Sequence, residues 1–258
     1  MRNLKITLEY AGSRYTGWQT QLKTRQTVQG MLELTLRKIL GEKIKVIGSG
    51  RTDSGVHALA QVANFKTSSR IPRDRLLSAM NALLPSDIAV TAIEEAPAGF
   101  HAQRDVKSKV YRYIILNRSY RSALLKGKVC FCRFPLNVNS MRRESRCLVG
   151  RHDFRTFCAS PEEVRSTVRT IKRISIKRVP YGSMFAADME GGSSLIVIDI
   201  EANGFLHNMV RSIAGTLIDI GRGRFTRGRL KEILLSKDRK NSGTTAVACG
   251  LYLFKVKY

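Results

Sequence analysis

The segment "LKITLEY" puts Leu4, Ile6, Leu8 and Tyr10 on one face at a period of two, which predicts a strand. "TVQGMLELTLRKIL" switches to helical spacing, with Val28, Met31, Leu32, Leu36, Ile39 and Leu40 on one side. Thr27 is its expected N-cap and Gly41 its stop. "IKVIG" then predicts a strand entering a glycine-rich loop, and "AQVANF" a strand leaving it. "RDRLLSAMNALLP" predicts a helix stopped by Pro85, and "IAVTAIEE" and "KVYRYIILN" predict two more strands. Further on, "NSMRRESRCLVG" reads as a short capped helix, and "IKRISIKRV" and "SSLIVIDIEA" as strands. "LHNMVRSIAGTLIDIG" is a long amphipathic helix, "RLKEILLS" another, and "GLYLFKVKY" a last strand. Several strands follow one another with no helix between them. An α+β fold with largely antiparallel sheets is therefore expected, over a doubly wound parallel one. A boundary near "FHAQRDV" divides the chain into residues 1–104 and 105–258.

Charge changes this picture. The 258 residues hold 45 Lys and Arg against 20 Asp and Glu, a formal net charge of +25. Nucleic acid is the first partner such an excess predicts. No apolar span is long enough for a membrane, and "MRNLKITLEY" lacks the core of a secretory signal. The imbalance is uneven, with 15 basic and 8 acidic residues up to position 104 and 30 and 12 after it. The second half should supply more of the phosphate-binding surface. Five cysteines without regular spacing read as reduced thiols of a cytoplasmic protein.

Against this background "GSGRTDSGVHALAQVANF", Gly48 to Phe65, carries an acid, Asp53, at the tip of a glycine-rich turn. The Walker pattern fails, because Val56 and His57 stand where Lys and Ser or Thr are needed; the dinucleotide pattern fails on its third glycine. Metal is not expected: His57, His101, His152 and His207 are scattered, and Cys130 and Cys132 lack a second pair. No G-x-S-x-G appears either. A plain alternative is a surface turn in which Asp53 or Ser54 caps a helix. Two features weigh against it. Gly55 leads into what reads as a strand, and Arg51, two residues from Asp53, projects the same way in an extended segment. An arginine beside a carboxylate keeps it ionised, as a nucleophile or base requires.

"GRTDSGVHALAQV" closely resembles the catalytic motif of the TruA-type tRNA pseudouridine synthases. "LEYAGSRYTGWQ", "VQGMLELTL", "NALLPSDIAV", "GFHAQRDVKSKVYRYIILN", "ANGFLHNMVRSIAGTLIDIG" and "GLYL" resemble the family's other motifs in the same order, over nearly the whole chain. The resemblance implies two similar subdomains with largely antiparallel sheets joined into one central sheet flanked by helices. It implies conversion of uridine to pseudouridine in the anticodon stem-loop of tRNA, at positions 38, 39 and 40, with no cofactor and no metal. A homodimer is implied as well.

By the same resemblance Asp53 is the essential aspartate, which either attacks the nucleotide or abstracts a sugar proton. Tyr111 stacks under the uracil and helps remove the proton from the new attachment carbon. Arg51 enters the RNA, Arg211 pairs with the aspartate, and Leu251 packs against the pocket. Gly50, Thr52 and His57 complete the implied substrate contacts. The residues alone read Tyr111 and Tyr113 as strand aromatics. Arg211 lies off its helix's apolar stripe, on a side shared with Gly204, Asn208 and Gly215, where another element could approach closely. Ser54 stands where the family often has alanine, and "HDFRTFCAS" matches only loosely. A basic cleft is expected, with Asp53 at its floor and Tyr111 beneath the flipped base. The rivals are an RNA-binding protein without catalysis and an RNA hydrolase.

Overall fold

A computed structural model describes residues 1–22, 24, 26–182 and 194–258. The strands and helices, in chain order, are β1 (Arg2–Tyr10), α1 (Val28–Leu40), β2 (Ile47–Gly48), β3 (His57–Thr67), α2 (Arg73–Leu83), β4 (Ile88–Ala96), β5 (Ser108–Asn117), β6 (Cys130–Cys132), α3 (Val138–Ser145), β7 (Gly150–Asp153), β8 (Val168–Pro180), β9 (Ser194–Ala202), α4 (Met209–Gly221), α5 (Arg229–Ser236) and β10 (Leu251–Lys257). The expected strand at "SSLIVIDIEA" is β9; Ser193, its first residue, lies outside the described residues. The chain divides into two compact units, residues 1–109 with 252–258, and residues 110–251.

In the first unit the strands run β4-β1-β3-β10, with β2 paired to β3. Strand β1 is antiparallel to both neighbours, placing Leu8 opposite Gln61 and Ile6 opposite Ala63. Strand β10 runs parallel to β3, with Tyr252 opposite His57. Leu4, Ile6 and Leu8 of β1, Leu32 and Leu36 of α1, and Leu76 and Met80 of α2 are fully buried. Each contributes about 1.5–3 kcal/mol by leaving water. Helix α1 starts and stops where its caps dictate. The Thr27 side chain accepts the Gly30 amide, and Gly41 takes a left-handed φ of 70°. The strand expected at residues 44–48 shrinks to Ile47–Gly48. Side chains of α1 take the Val46 backbone out of any ladder: its N–H donates to Glu33 Oε1 at 3.1 Å, and its carbonyl accepts from Gln29 Nε2 at 3.1 Å.

In the second unit the order is β5-β9-β8-β7, with β6 parallel to β5. Ile171, Ile196, Ile198 and Ile200 of the sheet and Ile213 and Leu217 of α4 form its buried interior. Helix α4 begins at Met209, later than its pattern predicts, because Asn208 takes a left-handed conformation at φ 60°. Helix α3 is capped by Asn137, whose side chain accepts the Ser140 amide. The buried Glu144 of α3 accepts the Gly228 amide at the start of α5.

Candidate active site

Asp53 opens a tight turn, not a helix. The Val56 amide donates to the Asp53 carbonyl at 3.1 Å, Gly55 supplies the positive φ of 77° that such a turn needs, and β3 begins directly afterwards. Asp53 is half-buried and Arg51 exposed. The strand exit was legible in the sequence; what grips the loop was not.

That grip comes from two sides. The fully buried Gln61 of β3 accepts the Ser49 hydroxyl at 2.6 Å and donates to the Gly50 carbonyl at 3.0 Å. From the other side, the turn after β1 lies directly on the loop. The Trp18 amide donates to the Thr52 carbonyl at 3.0 Å, and the Ser54 hydroxyl donates to the Tyr15 carbonyl at 3.1 Å. Three glycines permit this closeness. A Cβ would lie 1.9 Å from the Val56 oxygen at Gly12, 2.7 Å from the Thr52 oxygen at Gly17, and 2.5 Å from the Trp18 ring at Gly48. These contacts account physically for "AGSRYTGWQ".

Thr52 and His57 support the loop from within. The Thr52 hydroxyl is hydrogen-bonded to the Tyr10 phenol at 2.8 Å, and burial pushes that phenol's pKa up. His57 is 2 % exposed, accepts the Gly12 amide at Nδ1, and stacks on Tyr252 at 4.7 Å. Accepting there leaves Nε2 as the protonated nitrogen of the neutral ring.

The remaining candidates belong to the second unit. Tyr111 of β5 is 7 % exposed and meets Phe205 edge-on at 4.9 Å. Leu251 is buried at the start of β10. Arg211, in the first turn of α4, is half-buried and held in place. Its Nε donates to the Ala246 carbonyl at 2.8 Å and its Nη1 to Asn208 Oδ1 at 2.7 Å. The close approach permitted by Gly215 is realised, for a Cβ there would lie 1.7 Å from the Thr244 oxygen. Residues 243–246 thus lie against the small-residue face of α4 and fix the Arg211 guanidinium.

A family comparison decides what this assembly belongs to. The pattern described as "tRNA pseudouridine synthase" matches residues 6–104 and 145–258, most of the chain. The chain belongs to the tRNA pseudouridine synthase family. Its reaction is the isomerisation of uridine in tRNA. Over 258 residues, covering all of both chains, the synthase is 43 % identical to "tRNA pseudouridine synthase A" of Thermoanaerobacter sp. (strain X514). Its identity is 42 % to the protein of that name from Caldicellulosiruptor bescii and 43 % to that of Clostridium botulinum (strain Eklund 17B / Type B), again over full length.

Sequence reasoning passed over several residues that the synthase uses to build its loop: Tyr10, Trp18 and Gln61. Their role rests on contacts between distant segments. It also passed over a groove of about 420 Å³ in the first unit, lined by Lys43, Lys45, Lys66 and Arg104 beside His101 and Phe100. Four cations and no carboxylate make it a surface suited to backbone phosphates. Among the described residues no cluster of three or more His, Cys, Asp or Glu could hold a metal, and no helix is long and apolar enough to cross a membrane.

Proposed function

We propose that the synthase converts uridine to pseudouridine at positions 38, 39 and 40 of the tRNA anticodon stem-loop, with Asp53 as its essential carboxylate. It works as a cytoplasmic homodimer. The observation that carries this reading is the backbone clamp on Asp53. An acid presented on a turn fixed by Gly12, Gly17, Trp18 and Gln61 loses little freedom when a nucleotide arrives, which favours reaction geometry.

In the isomerisation the bond from N1 of uracil to C1′ of the ribose breaks and a bond from C5 to C1′ forms. The proton on C5 departs, and N1 gains one. No atom is gained or lost overall, so the chain's own groups suffice. Asp53 acts on the nucleotide at the ribose or base, and Arg51 enters the RNA beside it. Tyr111 stacks on the uracil and serves the transfer of the C5 proton, while Arg211 acts as the partner of Asp53. Leu251 and the Gly50 backbone border the substrate. Phosphate contacts offset the few kcal/mol that extracting a stacked base costs.

The test is tritium release from an unmodified tRNA transcript carrying 5-tritiated uridine, followed by mapping of the modified positions. The wild-type chain should release tritium and modify positions 38–40. Asp53→Asn should bind the same transcript with near-normal affinity and release none. Full turnover by that variant overturns the assignment of Asp53, and modification elsewhere overturns the assignment of the sites. Binding by the wild-type chain without any release would overturn the catalytic reading in favour of the RNA-binding rival.

A further inference from the structure

Lys109 stands on the residue parity of β5 that also carries Tyr111, Tyr113 and Ile115, all of them buried. Lys109 itself is half-buried. Its ammonium rests on the loop that carries Asp53: a Cβ at Gly50 would lie 2.3 Å from Lys109 Nζ and 3.3 Å from its Cε. Only a residue without a side chain leaves the ammonium this position. Burial lowers the pKa of the group to about 8, and no neighbouring carboxylate offsets that loss of solvation. The charged groups on the neighbouring segments include Arg51 and Asp53 on the loop, Asp105 and Lys107 ahead of β5, and Lys255 and Lys257 of β10, the Lys257 carbonyl accepting the Lys107 amide at 2.8 Å.

A desolvated ammonium costs the folded chain stability until an anion arrives. A charge-assisted hydrogen bond formed in such a place is stronger than one formed at the surface. The substrate of this loop is a polyanion, and a nucleotide drawn out of its stack brings its flanking phosphates with it. A compact point charge follows a phosphate through that rotation, where a planar guanidinium demands one orientation. We propose that Lys109 binds a backbone phosphate of the nucleotide presented to Asp53, and so positions the substrate. This inference rests on the reading of Asp53 as the catalytic group.

Lys109→Met in the full chain, assayed with an unmodified tRNA transcript, tests it. KM for tRNA should rise about tenfold while kcat stays within about threefold. The slope of log affinity against log salt should become shallower by about 0.7–0.9, the value of one lost phosphate contact. The variant should melt no lower than wild type, because an unpaired desolvated charge has been removed. Wild-type KM should rise between pH 7 and 9 as the ammonium loses its proton, and the variant's KM should be flat over that range. Gly50→Ala, whose new methyl displaces only the flexible end of Lys109, should shift the salt slope in the same direction. An unchanged KM and salt slope in Lys109→Met would overturn the proposal, as would a lower melting temperature with the slope unchanged. A wild-type chain that bound tRNA yet released no tritium would overturn the catalytic reading instead, and the slope comparison would still report on Lys109.

Discussion

Gly12 lies so close to Val56 that a Cβ on the first would sit 1.9 Å from the carbonyl oxygen of the second. Backbone meets backbone, so neither partner can rotate aside. The same residue donates its amide to His57 Nδ1 at 3.1 Å. One glycine thus fixes both the end of the Asp53 turn and the first residue of β3.

Gly12→Ala should therefore act on the loop more than on the core. Overpacking of this kind typically costs about 1–3 kcal/mol. A displacement of about 1 Å at a reacting group can cost about 10²-fold in rate. The expected outcome is a folded chain with a lowered melting temperature and a kcat reduced by about two orders of magnitude. Melting curves and tritium release check it. Wild-type turnover in Gly12→Ala would mean that the clamp does not position Asp53.

Arg211→Lys keeps the charge and removes the fork. The guanidinium now divides its donors between the Ala246 carbonyl and Asn208 Oδ1, and one ammonium on a flexible stem cannot reproduce that pair. About 1.5–3 kcal/mol of stability should be lost with a charged hydrogen bond. Affinity for tRNA should change little, because net charge is unaltered, while kcat should fall by at least tenfold. Retained kcat with lowered stability would limit Arg211 to a structural role.

How far the sequence reaches can be judged at particular residues. Thr27 and Gly41 bound α1 as the cap rules require, because capping is local chemistry. Val46 escapes its strand because Gln29 and Glu33, thirteen or more positions away in the chain, take its backbone groups. The short strands β6 and β7 went unread, since three or four residues hold too little of a period. The pairing of β10 with β3 leaves no mark on either strand's own pattern. At the loop, the motif pointed to Asp53, but the clamp from Gly12, Gly17 and Trp18 is a contact between segments thirty or more residues apart. Lys109 carried a readable signal: it is a lysine on the apolar phase of a strand.

The thiols give a pH prediction. Burial pushes the Cys130 thiol up to about 11, and Cys147 likewise. The thiolate fraction at pH 8 is then on the order of 0.1 %, so alkylation of both in the native chain should be slow and should accelerate on unfolding. A thiol whose folded pKa exceeds its unfolded value, near 9, adds stability that is complete below pH 9. That stability is lost as pH rises through about 11. Native-state labelling of either residue at the rate of a free thiol would contradict the burial argument. So would an alkaline melting profile flat from pH 9 to 11.

The buried pair Tyr10 and Thr52 offers a sharper test of how the Asp53 loop is held. Their hydroxyls share one buried hydrogen bond of 2.8 Å. Tyr10→Phe leaves the Thr52 hydroxyl without this partner, and Thr52→Val leaves the phenol without it. Each single change should cost about 1–3 kcal/mol. The double variant removes donor and acceptor together, so its cost should fall short of the sum by at least about 0.5 kcal/mol. Denaturant unfolding of the four chains measures that coupling. Turnover should follow a different rule: any variant that frees the Thr52 segment frees Asp53 beside it. The double variant should therefore recover stability without recovering kcat. Strict additivity in stability would show that the two hydroxyls do not depend on each other. Full activity in the double variant would show that Asp53 does not need this anchor.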